Sequence, residues 1–444
     1  MKPKELNRRT LERRAVEAAI WGMPIVSLDS MRQAFFRDAG AQYGDIVYLS
    51  EPADWKFLVT TPNNSTRYVY LNFNTTGGPV VAEISAASGA DLFGTFLDAW
   101  QVPLTDIGRT GEDRGKGGKY LLLPPDFKGD MPAGYIPVRS QTYNGYAIFR
   151  AISKSSSAED VAAAIALIKQ MRLYPLAQAA NPPQSRLIDM RGKVFDGIVR
   201  FDEGFYASLA KMVNEEPVQP RDLQMMGVLR TLGIEKGKEF KPDATTQAAL
   251  KQAIRESHAW FIARLTHYGE RYWPDRDWEV PVPPIGGQSG FTWEAANYFD
   301  VDSRGIGFFS FCAPPKKLGA ATFYLSTFKD TDGQLLSGDK TYRLRVPPNP
   351  PVNQFWAVTV YSLDEAAFIR EASRNSIDSY DQKVRKNADG SVDVNFGPTP
   401  PAGQESNWIS TAPGKGWFPF FRFYGPEKPL FEKTWKLPDI EKVK

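Results

Sequence analysis

SGDKTYRLRVPPNPPVNQFWAVTVYSLD (337–364), KNADGSVDVNFGPTPPAGQESNW (386–408) and FPFFRFYGPEKPLFEKTWKLPDI (418–440) decide the fold class of this chain. Tyr342, Leu344 and Val346 alternate with Arg343 and Arg345, the period-two pattern of a half-buried strand. The prolines between Pro347 and Pro351 donate no ladder hydrogen bond, so the strand stops or leaves its sheet there. Residues 355–361 (FWAVTVY) are continuously apolar or β-branched, which predicts a strand covered on both faces. Asn387, Asp389 and Gly390 make a turn, and Val392, Val394 and Phe396 then alternate strictly. Residues 418–424 read as a further aromatic strand. Short strands separated by regular turn signals predict a β-sandwich or jelly roll.

The chain's 444 residues allow two or three domains at roughly 100–200 residues each. Hydrophobic content of 42% and charged content of 24% are those of an ordinary globular protein. A net charge of +3 is too small to argue for nucleic acid or an anionic membrane as a partner. The 36 glycines and 34 prolines suit a β-rich, loop-rich fold. Cys312 is the single cysteine, so no intrachain disulfide forms. No stretch approaches the ~20 apolar residues of a membrane span.

Upstream, 11–36 reads as a helix with Ala15, Ala18, Ala19, Met23 and Val26 on one face, kinked or restarted at Pro24. Residues 54–150 switch to strand and turn. The polar cluster Thr61–Thr66 (TPNNST) has amides, Asn63 and Asn64, that suit either substrate orientation or loop bracing, beside Arg67. In GTFLDAWQVPL (94–104), Asp98, Trp100 and Gln101 stand at a strand end. GEDRGKGG (111–118) fails as a phosphate loop, because Lys116 stands where the second glycine is needed. Residues 158–173 predict an amphipathic helix with Ser157 as N-cap. Further helices are expected at 205–213, 222–232 and 245–268. FTWEAANYFDVDSRG (291–305) is a second candidate site loop, with Asp300, Asp302 and Arg304 close together and Tyr298 beside them.

Four pieces, TYRLRVPPNPPVNQFWAVTVY, KNADGSVDVNFGP, AGQESNW and FRFYGPEKPLFEKTWKLPDI, resemble the C-terminal domain of a bacterial two-domain family known by its uncharacterised domains, DUF1254 and DUF1214. AAIWGMPIVSLDSMRQ, the TPNN segment and GTFLDAWQVPL resemble its N-terminal half. Ser65 departs from the pattern, where the family often has Asp. The resemblance implies a hydrolase, the label such proteins often carry, but it brings no catalytic motif. It also implies a secretion signal. The start MKPKELNRRTLERR lacks an apolar signal core, so the chain is expected to be periplasmic or secreted from a trimmed start, or otherwise cytoplasmic. The expected fold is α+β. It has a DUF1254-like domain at 1–155, a helical connecting region at 156–275 and a DUF1214-like, jelly-roll-like β-sandwich at 276–444.

Several chemistries are excluded or demoted. His258 and His267 are the only histidines. Nine residues apart on one helix, they face about 180° away from each other. No HExxH, G-x-S-x-G elbow or dinucleotide glycine fingerprint occurs. What survives is carboxylate, tyrosine, arginine and amide chemistry, compatible with a hard divalent cation held by oxygen ligands. No cofactor is identified. Candidate substrate-binding residues are Asn63, Asn64, Arg67, Asp98 and Trp100 from the first domain. From the second come Tyr298, Arg343, Trp356, Asn407 and Arg422.

The leading expectation is a small-molecule hydrolase with a polar cleft where the two β-rich domains meet. The alternative is a non-catalytic envelope protein that binds carbohydrate or another ligand, marked by exposed rows around Trp408 and Trp417. A third is an assembly protein whose β edges pair into homo-oligomers.

Overall fold

The computed structural model describes residues 2–155, 157–267, 269–282, 284–317 and 322–443. Pro3–Arg37 is one helix of 35 residues. Its predicted stripe of Ala15, Ala18, Ala19, Met23 and Val26 is buried. Pro24 does not end the helix. It removes the N–H that would have bonded the carbonyl of Ile20, one turn back. Gly305 lies against that carbonyl, so closely that a β-carbon there would stand 2.8 Å from the oxygen.

Two compact units make up the chain. The first comprises Met1–Ala53, Ser65–Phe261 and Gln288–Lys317. The second comprises Asp54–Asn64, Ile262–Gly287 and Leu318–Lys444. Asn63 and Asn64 therefore belong with the C-terminal strands, and Tyr298 with the N-terminal body.

The first unit contains a six-stranded sheet in the order Leu187–Asp189, Ile46–Tyr48, Arg67–Asn74, Asn144–Ser153, Ala90–Asp98, Pro103–Ile107. A four-stranded sheet runs Arg172–Pro175, Val80–Ile84, Gly118–Leu123, Ile136–Arg139. Val69, Leu71 and Phe149 from one and Val80, Ala82 and Leu122 from the other enter a single core. The helix Ala158–Lys169 covers it with Ala164, Leu167 and Ile168. Ser157 caps this helix as expected, accepting from Asp160 N at 3.2 Å. The helix is shorter than the periodicity predicts. Arg172–Pro175 leaves it to pair as a strand with Val80–Glu83, where Arg172 bonds Glu83.

A second correction concerns 291–305. The expected loop ends at Asp300, which caps a helix, Val301–Ser310, by accepting from Ser303 N at 2.9 Å. Arg304 is thereby held on a helix and buried.

In the second unit, one sheet runs Thr322–Ser326, Trp417–Pro426, Val352–Ser362, Ser376–Asp378. The other runs Trp408–Ser410, Val392–Gly397, Tyr342–Val346, Glu441–Lys442. Val358, Val360, Phe421 and Phe423 from the first share a core with Leu344, Val346, Val394 and Phe396 from the second. This is the sandwich-like arrangement predicted from the alternation of Tyr342, Leu344 and Val346. The whole is a mixed α+β protein with β-rich domains. No helix among the described residues is long and apolar enough to cross a membrane.

Candidate functional site

Both segments of the first unit with a functional look meet at one point. The strand Ala90–Asp98 ends in a tight turn. There the Asp98 carboxylate accepts from Trp100 N and Val102 N, each at 2.9 Å, and Gln101 takes a left-handed φ of 62°. Gln101 is held by donating to Pro24 O at 2.8 Å and accepting from the Tyr146 hydroxyl at 2.6 Å. The turn thus fixes Trp100, which packs edge-on against Trp21 with ring centroids 4.7 Å apart.

Arg304 completes the arrangement. Its guanidinium lies 4.9 Å from the ring centroid of Trp100, 4.5 Å from that of Phe299 and 5.9 Å from that of Trp21. Nη2 donates to Trp21 O at 2.7 Å, in the helical turn that precedes Pro24. Nε has no hydrogen-bond partner among the described residues. Among the described residues no carboxylate comes within ion-pair distance of this guanidinium. Aromatic faces favour a nearby cation, but they do not satisfy its N–H donors.

Two buried carboxyl groups, Asp98 and Asp222, act on the Arg304 guanidinium, and a third, Glu216, acts on Asp98. Burial pushes Asp98 up to about 7, against the hydrogen bonds from Val102 and Trp100. Asp222 accepts from the Trp21 indole at 3.3 Å and is also raised by burial, with Arg304 opposing. Glu216 is raised by burial as well, although Tyr143 N and Asn144 N donate to it at 2.6 and 2.9 Å. Burial pulls the Arg304 guanidinium down to about 9, so it stays protonated at neutral pH. Trp100, Glu216 and Asp222 line a recess of about 10 Å³, close to the minimum that holds one water molecule.

In the second unit, Asn64 and Arg422 are brought to one face of a sheet, and Asn63, next to Asn64 in the chain, is buried. Asn64 Nδ2 donates to Ser376 Oγ at 2.5 Å. Arg422 Nη2 donates to the Tyr361 hydroxyl at 2.6 Å and to Thr61 O at 3.2 Å, and Tyr361 in turn donates to Pro62 O at 2.6 Å. Thr61 holds φ at 40°, a strained value for a β-branched residue. Arg422 Nη1 has no hydrogen-bond partner among the described residues.

The other expected site residues take structural or solvated positions. Arg67 donates to Ser50 O at 2.9 Å. Tyr298 is exposed. Arg343 forms a part-exposed ion pair with Glu441 at 2.5 Å. Trp356 is a core residue stacked on Phe421 at 5.5 Å. Asn407 donates to the carbonyls of Arg385 and Asp393, both at 2.9 Å, and braces a loop. The expected exposed tryptophan row is absent. Trp417 is buried between Tyr342 and Phe396, and the half-buried Trp408 donates its indole to Gly397 O. Among the described residues no group of His, Cys, Asp or Glu side chains is placed to hold a metal ion.

Sequence reasoning missed Trp21 and Asp222. Pro24 inside a helical stripe was the available signal, because it marks a freed carbonyl that some other element must approach.

Residues 44–175 match the model of a protein family of unknown function, DUF1254. Residues 321–428 match a second family of unknown function, DUF1214. No curated protein matches the chain. The VPA0106 protein from Vibrio parahaemolyticus is 18% identical, with 98% of this chain and 100% of that one covered at a TM-score of 0.55. A second solved structure, an uncharacterized protein from Burkholderia cenocepacia, is 13% identical over 99% and 96% of the two chains, with a TM-score of 0.41. At 18% identity the Vibrio likeness is one of fold and leaves function to be argued from the site. Carrying both domains in order, the chain belongs to the two-domain DUF1254/DUF1214 family.

Proposed function

We propose that the protein binds a small organic anion at the Arg304 nest and hydrolyses it. The observation that carries this reading is the Arg304 guanidinium, which is buried, ringed by Trp21, Trp100 and Phe299, and left, among the described residues, with an unpartnered Nε. An unsatisfied buried donor costs ~1–3 kcal/mol, and fixed donors without internal partners are what a ligand carboxylate or developing oxyanion needs. Asp98, titrating near 7, is suited to take a proton from water at neutral pH. Trp100 supplies the apolar wall.

The test is a panel of small carboxylate-bearing esters, amides and lactones. Turnover that disappears in Asp98→Asn while binding persists, and binding that disappears in Arg304→Met, supports the reading. Full turnover in either folded variant contradicts it.

A second reading, a non-catalytic protein that binds carbohydrate or another ligand, draws on a different face. Tyr380 is 60% exposed and packs on Phe355 at 4.7 Å, which itself stacks on Tyr424 at 4.0 Å. Sugar titrations monitored by tyrosine fluorescence test this directly, and Tyr380→Ala should abolish any response.

A further inference from the structure

The second unit holds a cavity of about 120 Å³, lined by charged groups from three segments. That volume admits several water molecules or a small solute. Glu279 enters it from a backbone position fixed by a β-bridge, with Glu279 N donating to Ser326 O at 2.8 Å and Ser326 N donating to Glu279 O at 2.9 Å. Gly269 makes room for the side chain, since a methyl group there would overlap the Glu279 carboxylate. Lys329 enters from beyond the strand Thr322–Ser326, and His267 from the end of the helix Ala244–His267. Arg271 and Asp277 also line the cavity, but they satisfy each other in an ion pair of 2.5 Å.

Glu279 and Lys329 are different. Among the described residues, neither the Glu279 carboxylate nor the Lys329 ammonium makes a hydrogen bond or an ion pair, and both are half-buried. Opposite charges that share a small cavity without closing on each other leave complementary ends for a molecule carrying both signs. Burial pushes the Glu279 carboxyl up to about 7, with Asp277 adding to the effect and Lys329 and Arg271 opposing it.

We propose that this cavity binds a small zwitterion of the amino-acid type, with its ammonium on the Glu279 carboxylate and its carboxylate on the Lys329 ammonium. The site is separate from the Arg304 nest and does not depend on the reaction proposed there.

Calorimetric titration of the full chain with glycine, L-alanine, acetate and methylamine at pH 8 tests the assignment. Glycine or alanine should bind at least tenfold more tightly than either singly charged probe. Glu279→Gln and Lys329→Met should each weaken that binding tenfold or more, with far-UV circular dichroism unchanged. Affinity should fall as pH drops below 7, where Glu279 takes up a proton. Asp98→Asn should bind glycine like the wild type. Acetate or methylamine binding as tightly as glycine overturns the proposal, as does the absence of binding by either amino acid. The comparison of probes on wild-type protein holds even where a variant fails to fold.

Discussion

The guanidinium of Arg304 sits 4.9 Å over the ring of Trp100 and donates to the carbonyl of Trp21, but among the described residues it pairs with no carboxylate. The first unit also contains a buried arginine of the opposite kind. Arg32 bonds Asp29 and Glu215 at 2.7 Å and Asn144 at 2.8 Å. One arginine is matched by its surroundings, and the other is kept with an open donor.

Breaking a buried matched pair costs ~3–5 kcal/mol, whereas replacing a poorly compensated buried charge with an apolar residue is often neutral or stabilising. Arg32→Met should therefore lose about that amount in urea denaturation. Arg304→Met should stay within ~1 kcal/mol of the wild type or exceed it, consistent with stability given up for function. A comparable loss in both variants would mean that Arg304 is a structural brace.

Asp98 makes stability depend on pH in a direction unusual for a carboxylate. Its folded value of about 7 lies above the ordinary 3.8, so between these limits the folded chain keeps a proton that the unfolded chain has released. The group's stabilising contribution is full below about pH 3.8 and is lost as pH rises towards 7. The amide oxygen of Asp98→Asn can still accept from Trp100 N and Val102 N. The stability of this variant relative to wild type should grow between pH 4 and 7 and then level off, as read by denaturation at pH 4.5, 6 and 7.5. A difference independent of pH contradicts the assignment.

Gly305 carries the helix of Arg304 against the carbonyl freed by Pro24. A β-carbon at this position would stand 2.8 Å from Ile20 O, and overpacking of this kind costs ~1–3 kcal/mol. Gly305→Ala should lower stability by that amount and weaken any ligand response that depends on Arg304. A variant as stable as wild type would show that the helix relaxes freely.

Arg343 is the control. Its ion pair with Glu441 is 40% and 46% exposed on the two sides, and such pairs contribute ~0–1 kcal/mol. Arg343→Ala should change stability by no more than this and leave any activity intact. Loss of activity would return this residue to the site.

Most of the sandwich could be read from its strands, because period-two burial and proline stops are local signals. The same pattern placed Arg343 and Arg345 off the core face, but it could not distinguish solvent from a cavity. That depends on Glu441 and Asp393, which come from distant strands. Asp98 and Trp100 stood out as polar and aromatic residues at a strand end, and Arg304 as part of a charged cluster. Their meeting depends on the Asp300 cap and the approach of Gly305 to the opening helix, both tertiary events. Trp356 and Asn407 have the residue types of a binding site but serve core packing and loop bracing, and composition does not separate those roles.

An anion site at Arg304 is tested by a thermal-shift comparison of wild type and Arg304→Met with small carboxylate-bearing esters and their parent acids at pH 7. Ligand that binds only the folded state raises the melting temperature by mass action, about 2.7 kcal/mol of stabilisation at a hundredfold excess over Kd. A concentration-dependent rise in wild type that is absent from folded Arg304→Met is the result predicted here. Equal shifts in both proteins, or no shift in wild type with any anion, would contradict an anion site at Arg304.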